Sequence, residues 1–97
     1  MKKVMKEETG FKVIATIKRT NGICSWGHKE GDSFEISCWD TGGLCGMFYH
    51  YIFPELMMLQ FGGGYPWQTP DKQNCIEMTC SDPAARVVLE LKRISEK

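Results

Sequence analysis

A cysteine and a histidine with metal-binding side chains, Cys24 and His28, lie four positions apart in the segment NGICSWGHKEGDSF, residues 21–34. A loop of this length can bring a thiolate and an imidazole to one ion, and both groups suit zinc or iron. A structural zinc site is tetrahedral, however, and no closely spaced second pair of cysteines follows in the chain. The sequence therefore predicts half of a metal site or, as the alternative, an exposed turn in which the two residues are incidental.

Cys45 has the clearest physical reason for reactivity among the five cysteines. Gly42 and Gly43 precede it closely, and we predict that a helix begins near Gly43, which places Cys45 in the first turn. Unpaired backbone amides and the helix dipole favour a thiolate at that position. Cys45 and Cys24 are accordingly the catalytic candidates, with an ordinary core role for Cys45 as the alternative.

The remaining three cysteines differ in their phase along predicted strands. Cys80 shares its phase with the apolar residues of 74–80, whereas Cys75 points to the opposite face. Cys38 is in phase with the apolar residues of 33–39, which favours a role as a small buried side chain. A metal centre holding zinc or iron would then take its ligands from Cys24, His28, Cys45 and Cys80.

The period of the hydrophobic pattern predicts the elements that hold these residues. Apolar residues alternate over 11–19 and 33–39, which indicates two half-buried strands. From Leu44 the apolar residues recur at spacings of three and four, which indicates a helix. Pro54 predicts a kink or a restart of that helix, and the glycines at 62–64 stop it.

Two further strands, over 74–80 and 86–94, flank the turn Ser81-Asp82-Pro83 and predict a hairpin. The whole order indicates an α+β fold, with a small antiparallel sheet in β-β-α-β-β order and a kinked helical segment packed on one face. A chain of 97 residues is long enough to form one hydrophobic core. We expect residues 1–10 to form a flexible N-terminal tail and residues 11–95 to form a single α+β domain.

The charge balance argues against nucleic acid and anionic membranes as partners. The chain has 12 basic and 12 acidic residues, so no net field attracts a polyanion. Two basic clusters near the ends are interleaved with glutamates and are expected to be solvated tails, with a binding arm as the alternative. These clusters are Lys2, Lys3 and Lys6, and Lys92, Arg93 and Lys97.

The distribution of apolar residues predicts a cytoplasmic protein. No apolar run follows the basic residues at the start, so a secretory signal is not expected. The apolar stretch 47–61 is interrupted by polar residues and a proline and is too short for a bilayer span. In the reducing cytoplasm, the cysteines are expected to be thiols, metal ligands or redox centres rather than disulfides.

Five segments of the chain carry a resemblance to a known family: KVIATIKR, GICSWGHKEGDSF, GLCGMFYHYIFPELMMLQFGG, YPW and CSDPAARVVLELKRI. From residue 11 onward the chain resembles a family of small prokaryotic proteins of about this length. The most specific parts are Cys24 with Gly27 and residues 31–34, FGG followed by PW, and the turn at Cys80 and Asp82.

The resemblance implies which of the cysteines matter. Members of the family carry cysteines matching Cys24, Cys45 and Cys80, whereas Cys38 and Cys75 are additions of this chain. Gly46-Met47 stands where relatives often have a proline and an aromatic residue, which bears on where the helix starts. The family has no established reaction, so the resemblance points to a site without assigning its chemistry.

Two functions are compatible with these features. The first is a cysteine-centred metal-binding or redox site, and whether that site is catalytic stays open. The alternative is a non-enzymatic module for interaction or small-ligand binding, homodimerisation included, that uses the Met- and Tyr-rich helix and the loop Tyr65-Pro66-Trp67. The expected partner is a small molecule, a metal or a second copy of the chain, and neither nucleic acid nor a membrane.

Overall fold

The computed structural model describes residues 10–20, 22, 24, 26–69, 72–80 and 86–94. The elements are β1 (Val13–Arg19), β2 (Ser33–Ile36), α1 (Gly46–Gln60), β3 (Cys75–Thr79) and β4 (Val88–Arg93). The predicted α+β class and the β-β-α-β-β order are confirmed. Most of the predicted tail, residues 1–9, and the predicted turn at 81–83 lie outside the described residues.

The four strands form one antiparallel sheet in the order β2-β1-β4-β3. β1 and β4 are the central pair, and β3 and β4 pair as the predicted hairpin. The helix follows β2 and precedes β3, which are the two outer strands of the sheet. The segment that contains α1 therefore crosses from one edge of the sheet to the other and covers one face.

The core lies between that face and α1. Alternate residues of β1 and β4 point toward the helix, as the two-residue period predicts. The helix contributes residues at spacings of three and four. The buried apolar side chains are Val13, Ala15, Ile17, Ile36, Leu44, Phe48, Ile52, Leu56, Leu59, Val87, Leu89 and Leu91.

The helix differs from its prediction in two respects. It begins at Gly46 with Cys45 as the N-cap residue, so Cys45 precedes the first turn. It also continues through Pro54 without a restart. A proline inside a helix removes one backbone hydrogen bond, here the one to the carbonyl of His50. Both residues are exposed, so water can satisfy that carbonyl and the interruption costs little.

β2 ends at Ile36, before the end predicted from the apolar alternation. The chain turns because Ser37 and Asp40 exchange two backbone hydrogen bonds, at 2.9 and 3.1 Å. Gly42 then passes close to the carbonyl of Glu35, where a Cβ would collide, and its φ of +64° also favours glycine. The segment after β2 thus folds back beside that strand toward the start of α1.

Within the described residues, no helix combines the length and the apolar character that crossing a bilayer requires.

Candidate functional site

The N-terminal end of α1 is capped by a histidine from a distant loop. The backbone N–H of Cys45 donates to Nε2 of His28 at 3.0 Å. The first backbone amides of a helix have no partner within it, so this bond satisfies one of them. Because Nε2 accepts, the imidazole is neutral and carries its proton on Nδ1.

Aromatic neighbours hold His28 in this position. Its ring meets the ring of Phe34 edge-on at 5.3 Å and lies 6.5 Å from that of Trp26. Trp26 in turn donates through Nε1 to the carbonyl of Gly43 at 3.2 Å. This bond connects the loop after β1 to the residues just before α1. Burial lowers the pKa of His28, and the nearby charge of Asp32 opposes that shift. His28 is therefore a structural acceptor at neutral pH.

Cys24, Cys45 and Cys80 all lie toward one end of the sheet, here called the cysteine end. Cys24 follows β1 and Cys80 follows β3, and these two strands end on the same side of the sheet because both run antiparallel to β4. Cys45 lies there because its amide bonds to the loop that follows β1. Each of the three is half-buried and packs against the core.

The four predicted ligands do not form one group in this arrangement, and the metal centre stays a prediction. Among the described residues, no group of three or more histidine, cysteine, aspartate or glutamate side chains is placed to hold an ion. One reason is that the Nε2 lone pair of His28 already accepts a hydrogen bond from Cys45. A second is that Cys80 follows β3, whereas His28 packs on Phe34 of β2. These are opposite outer strands, roughly 14 Å apart at the usual strand spacing.

The other two cysteines have no sign of nucleophilic activation. Burial raises the pKa of the Cys38 thiol, and its backbone N–H donates to Oε1 of Gln60 at 2.8 Å. Cys75 lies on the opposite face of its strand from Cys80, as its phase predicts, and its thiol donates to Glu90 at 3.2 Å. Partial burial and this hydrogen bond raise the pKa of Cys75 to about 11. Both sulfurs are protonated thiols at neutral pH.

The C-terminal end of α1 contacts Arg93, which is buried although the sequence predicts a solvated basic cluster there. Arg93 is 8% exposed, and its Cζ lies 5.4 Å from the ring centroid of Phe11. The burial of Arg93 could have been predicted from its phase in β4, which matches that of the buried Leu89 and Leu91. Its guanidinium donates to Leu59 O (3.1 Å), Gly63 O (2.9 Å), Gln73 O (3.2 Å) and Asn74 Oδ1 (2.8 Å).

The outer face of α1 is apolar, although it points away from the sheet. Surface helices usually present charged or polar residues on that side. The only charged residue in the sequence of α1 is Glu55, and its carboxylate accepts a hydrogen bond from the hydroxyl of Tyr65 at 2.9 Å. The large exposed apolar side chains of the outer face are Met47 (68% exposed), Tyr51 (48%), Met57 (45%) and that of the C-cap residue Phe61 (51%), and His50 and Pro54 are exposed beside them.

Comparison with known proteins assigns neither a family nor a function to the chain. No family model matches the chain, and neither the curated proteins nor the solved structures include a significant match. The resemblance to a family of small prokaryotic proteins therefore stays a prediction.

Proposed function

We propose that this domain is an interaction module that forms a homodimer through the outer face of α1. The observation that carries the proposal is a helix with large exposed apolar side chains and one charged residue, Glu55, which is already hydrogen-bonded to Tyr65. Apolar patches of this kind on a folded domain mark contact surfaces. Burial of the patch against a partner removes that apolar area from water.

A second copy of the chain suits this face better than a charged partner does. The exposed residues of α1 include no aspartate, glutamate, lysine or arginine, so a largely uncharged surface is the best complement of the outer face. In a two-fold dimer the same patch meets itself, which provides such a surface without any other protein. Met47 and Met57 favour this contact because their flexible side chains adapt to the shape of the opposing surface.

Aromatic side chains at the two ends of the helix support the same proposal. Trp26 is 60% exposed and is fixed near the start of α1 by its hydrogen bond to Gly43. Tyr65 and Trp67 stack at 4.6 Å with an angle of 9° between their planes, beside Glu55. Tryptophan, tyrosine and methionine are enriched in protein interfaces, and rigid aromatic anchors often carry much of the binding energy.

The test is the mass of the protein in solution as a function of concentration, measured by sedimentation velocity. The wild-type chain is expected to dimerise with a dissociation constant in the micromolar range. Tyr51→Lys places a charge on the outer face and is expected to give a monomer. Ser33→Lys adds the same charge at an exposed position of β2 and is expected to remain dimeric.

A wild-type protein that stays monomeric at millimolar concentration would refute the homodimer. Equal dissociation of both lysine variants would refute the assignment to the outer face, because it would point to a general charge effect. Circular dichroism of each variant checks that the fold is retained.

A cysteine-centred metal-binding or redox site at the cysteine end is the second proposal. It is supported by the location of Cys24, Cys45 and Cys80 at that one end, beside the helix start. Zinc or iron would be the ion, and binding would require His28 to release the Cys45 amide. Metal analysis of protein purified without chelator, with titration of the thiols by Ellman's reagent, tests this proposal. Metal-free protein with five uniformly slow thiols would rule it out.

A further inference from the structure

A pocket of about 390 Å³ opens at the cysteine end, on the face of the sheet that α1 does not cover. It is lined by Arg19, Thr20, Thr79, Arg86 and Val88. Val88 and Thr79 point away from the core, because their strand neighbours Leu89 and Met78 point into it. The pocket thus lies on the opposite side of the molecule from the outer face of α1, and both can be occupied together.

The sheet register builds one wall of this pocket. Val88 stands opposite Arg19 on one side and opposite Thr79 on the other, so the three form a row across neighbouring strands. A shift in register between Ile17 and Arg19 makes Lys18 the extra residue and brings Arg19 into the row. Such bulges re-aim side chains and are over-represented beside functional sites.

The polar groups that line the pocket include four side chains able to donate hydrogen bonds, two guanidinium groups and two hydroxyls. Among the described residues, Arg86 has neither an ion pair nor a side-chain hydrogen bond. Arg19 has one ion pair, in which Nη2 lies 3.9 Å from a carboxylate oxygen of Glu77. Both partners are more than half exposed, and an exposed pair at this distance contributes little energy. An anion can therefore compete for Arg19.

We propose that this pocket binds a small molecule through an oxyanion group, a phosphate or a carboxylate. Arginine presents paired N–H donors that match the oxygens of either group, and a pair of arginines suits a doubly charged phosphate best. The volume falls within the range of small-ligand sites. The zero net charge of the chain does not oppose this, because the attraction comes from two guanidinium groups in one place.

The test is a titration followed by ¹H–¹⁵N NMR at constant ionic strength, with inorganic phosphate and acetate as the probes and sodium chloride as the balancing salt. Saturable shifts are expected at the amides of residues 19, 20, 79, 86 and 88. Arg19→Gln and Arg86→Gln are each expected to weaken phosphate binding about tenfold, since each removes a charged hydrogen-bond donor. Lys18→Gln is the matched control, because it removes one charge from the same strand at a residue that does not line the pocket. It is expected to change binding less than about twofold.

Tighter binding of phosphate than of acetate would assign the natural ligand to phosphorylated compounds, and the reverse order would assign it to carboxylates. Either order of affinity supports the proposal that the pocket binds an oxyanion. The absence of saturable shifts with both anions, or equal weakening by Lys18→Gln and the two arginine variants, would overturn the proposal. The side chains of Arg19 and Lys18 are exposed, so these variants are expected to keep the wild-type spectrum outside the pocket.

Discussion

The two ends of α1 are held by side chains from elsewhere in the chain, but by different chemistry. At the start, the neutral ring of His28 accepts one hydrogen bond from Cys45. At the end, the charged side chain of Arg93 donates four, one of them to Leu59 O of α1 and the other three to Gly63, Gln73 and Asn74 beyond the helix. The helix has no acidic residue in its first turn and no basic residue in its last. The start of α1 therefore relies on a tertiary contact, whereas its end combines the bond from Arg93 with local bonds from the amides of Gly62 to Leu59 O and of Gly63 to Met58 O.

The C-terminal end of α1 is also the more heavily hydrogen-bonded of the two. Gln60, the last residue of α1, accepts hydrogen bonds from the backbone amides of Cys38 and Phe11. Gly10 approaches it so closely that a Cβ would collide with the Gln60 carbonyl. The N-terminal end has one titratable acceptor in a loop and lies at the cysteine end, where any thiol chemistry would take place. The denser hydrogen bonding and the half-buried cysteines thus lie at opposite ends of one helix.

The largest effect is expected from Arg93→Met. It removes the donor for three backbone carbonyls and an amide oxygen and leaves them without that partner in a buried site, so we expect a loss of about 3 to 5 kcal/mol in the free energy of unfolding. Urea denaturation measures it. Lys92→Met is the control, because Lys92 is exposed on the other face of the strand, and its effect should stay within about 0.5 kcal/mol. Equal effects of the two variants would contradict the role given to Arg93.

A smaller effect is expected at the other end of the helix. His28→Phe keeps an aromatic ring against Phe34 but cannot accept the Cys45 amide, so we expect a loss of about 1 kcal/mol. His28→Ala also removes the ring contact and should cost about 2 to 3 kcal/mol. The difference in stability between the two variants separates the contribution of ring packing from that of the hydrogen bond to Cys45. If His28→Phe is as stable as the wild type in urea, the hydrogen bond does not stabilise the helix.

The smallest effect is a dependence of stability on pH. The pKa of His28 in the folded protein lies below the 6.5 of an exposed imidazole, chiefly because of burial. The unfolded chain therefore binds the proton more readily, so the contribution of His28 is complete above about pH 6.5 and is lost as the pH falls through the folded pKa. Arg93 does not contribute to the pH dependence of stability, since arginine keeps its charge throughout this range.

Urea denaturation between about pH 5 and pH 8 measures this dependence. The His28→Phe variant should show a flatter profile than the wild type in the upper part of that range, where carboxylates do not titrate. Identical profiles would mean that His28 keeps the same affinity for protons in the folded and unfolded chains.

The sequence predicted the strand phases well and the local starts and stops less well. Alternation placed Cys80 on the core side of its strand and Cys75 on the opposite side, as observed. The same rule applied to Arg93 indicates burial, but its charge and its position near the chain end favoured a solvated tail instead. The start of α1 was predicted before Cys45 because glycines precede it, whereas the observed N-cap is stabilised by His28, a partner that no local pattern reveals.

The sequence by itself determined the class of the fold and the faces of its elements, because hydrophobic periodicity is a local property that survives in any arrangement of the strands. Only the tertiary structure decided the strand order, the capping of the start of α1 by His28 and the meeting of Arg19 and Arg86 at one pocket. These features depend on hydrogen bonds and contacts between residues far apart in the chain. Their geometry is set when the strands pair and the helix crosses the sheet.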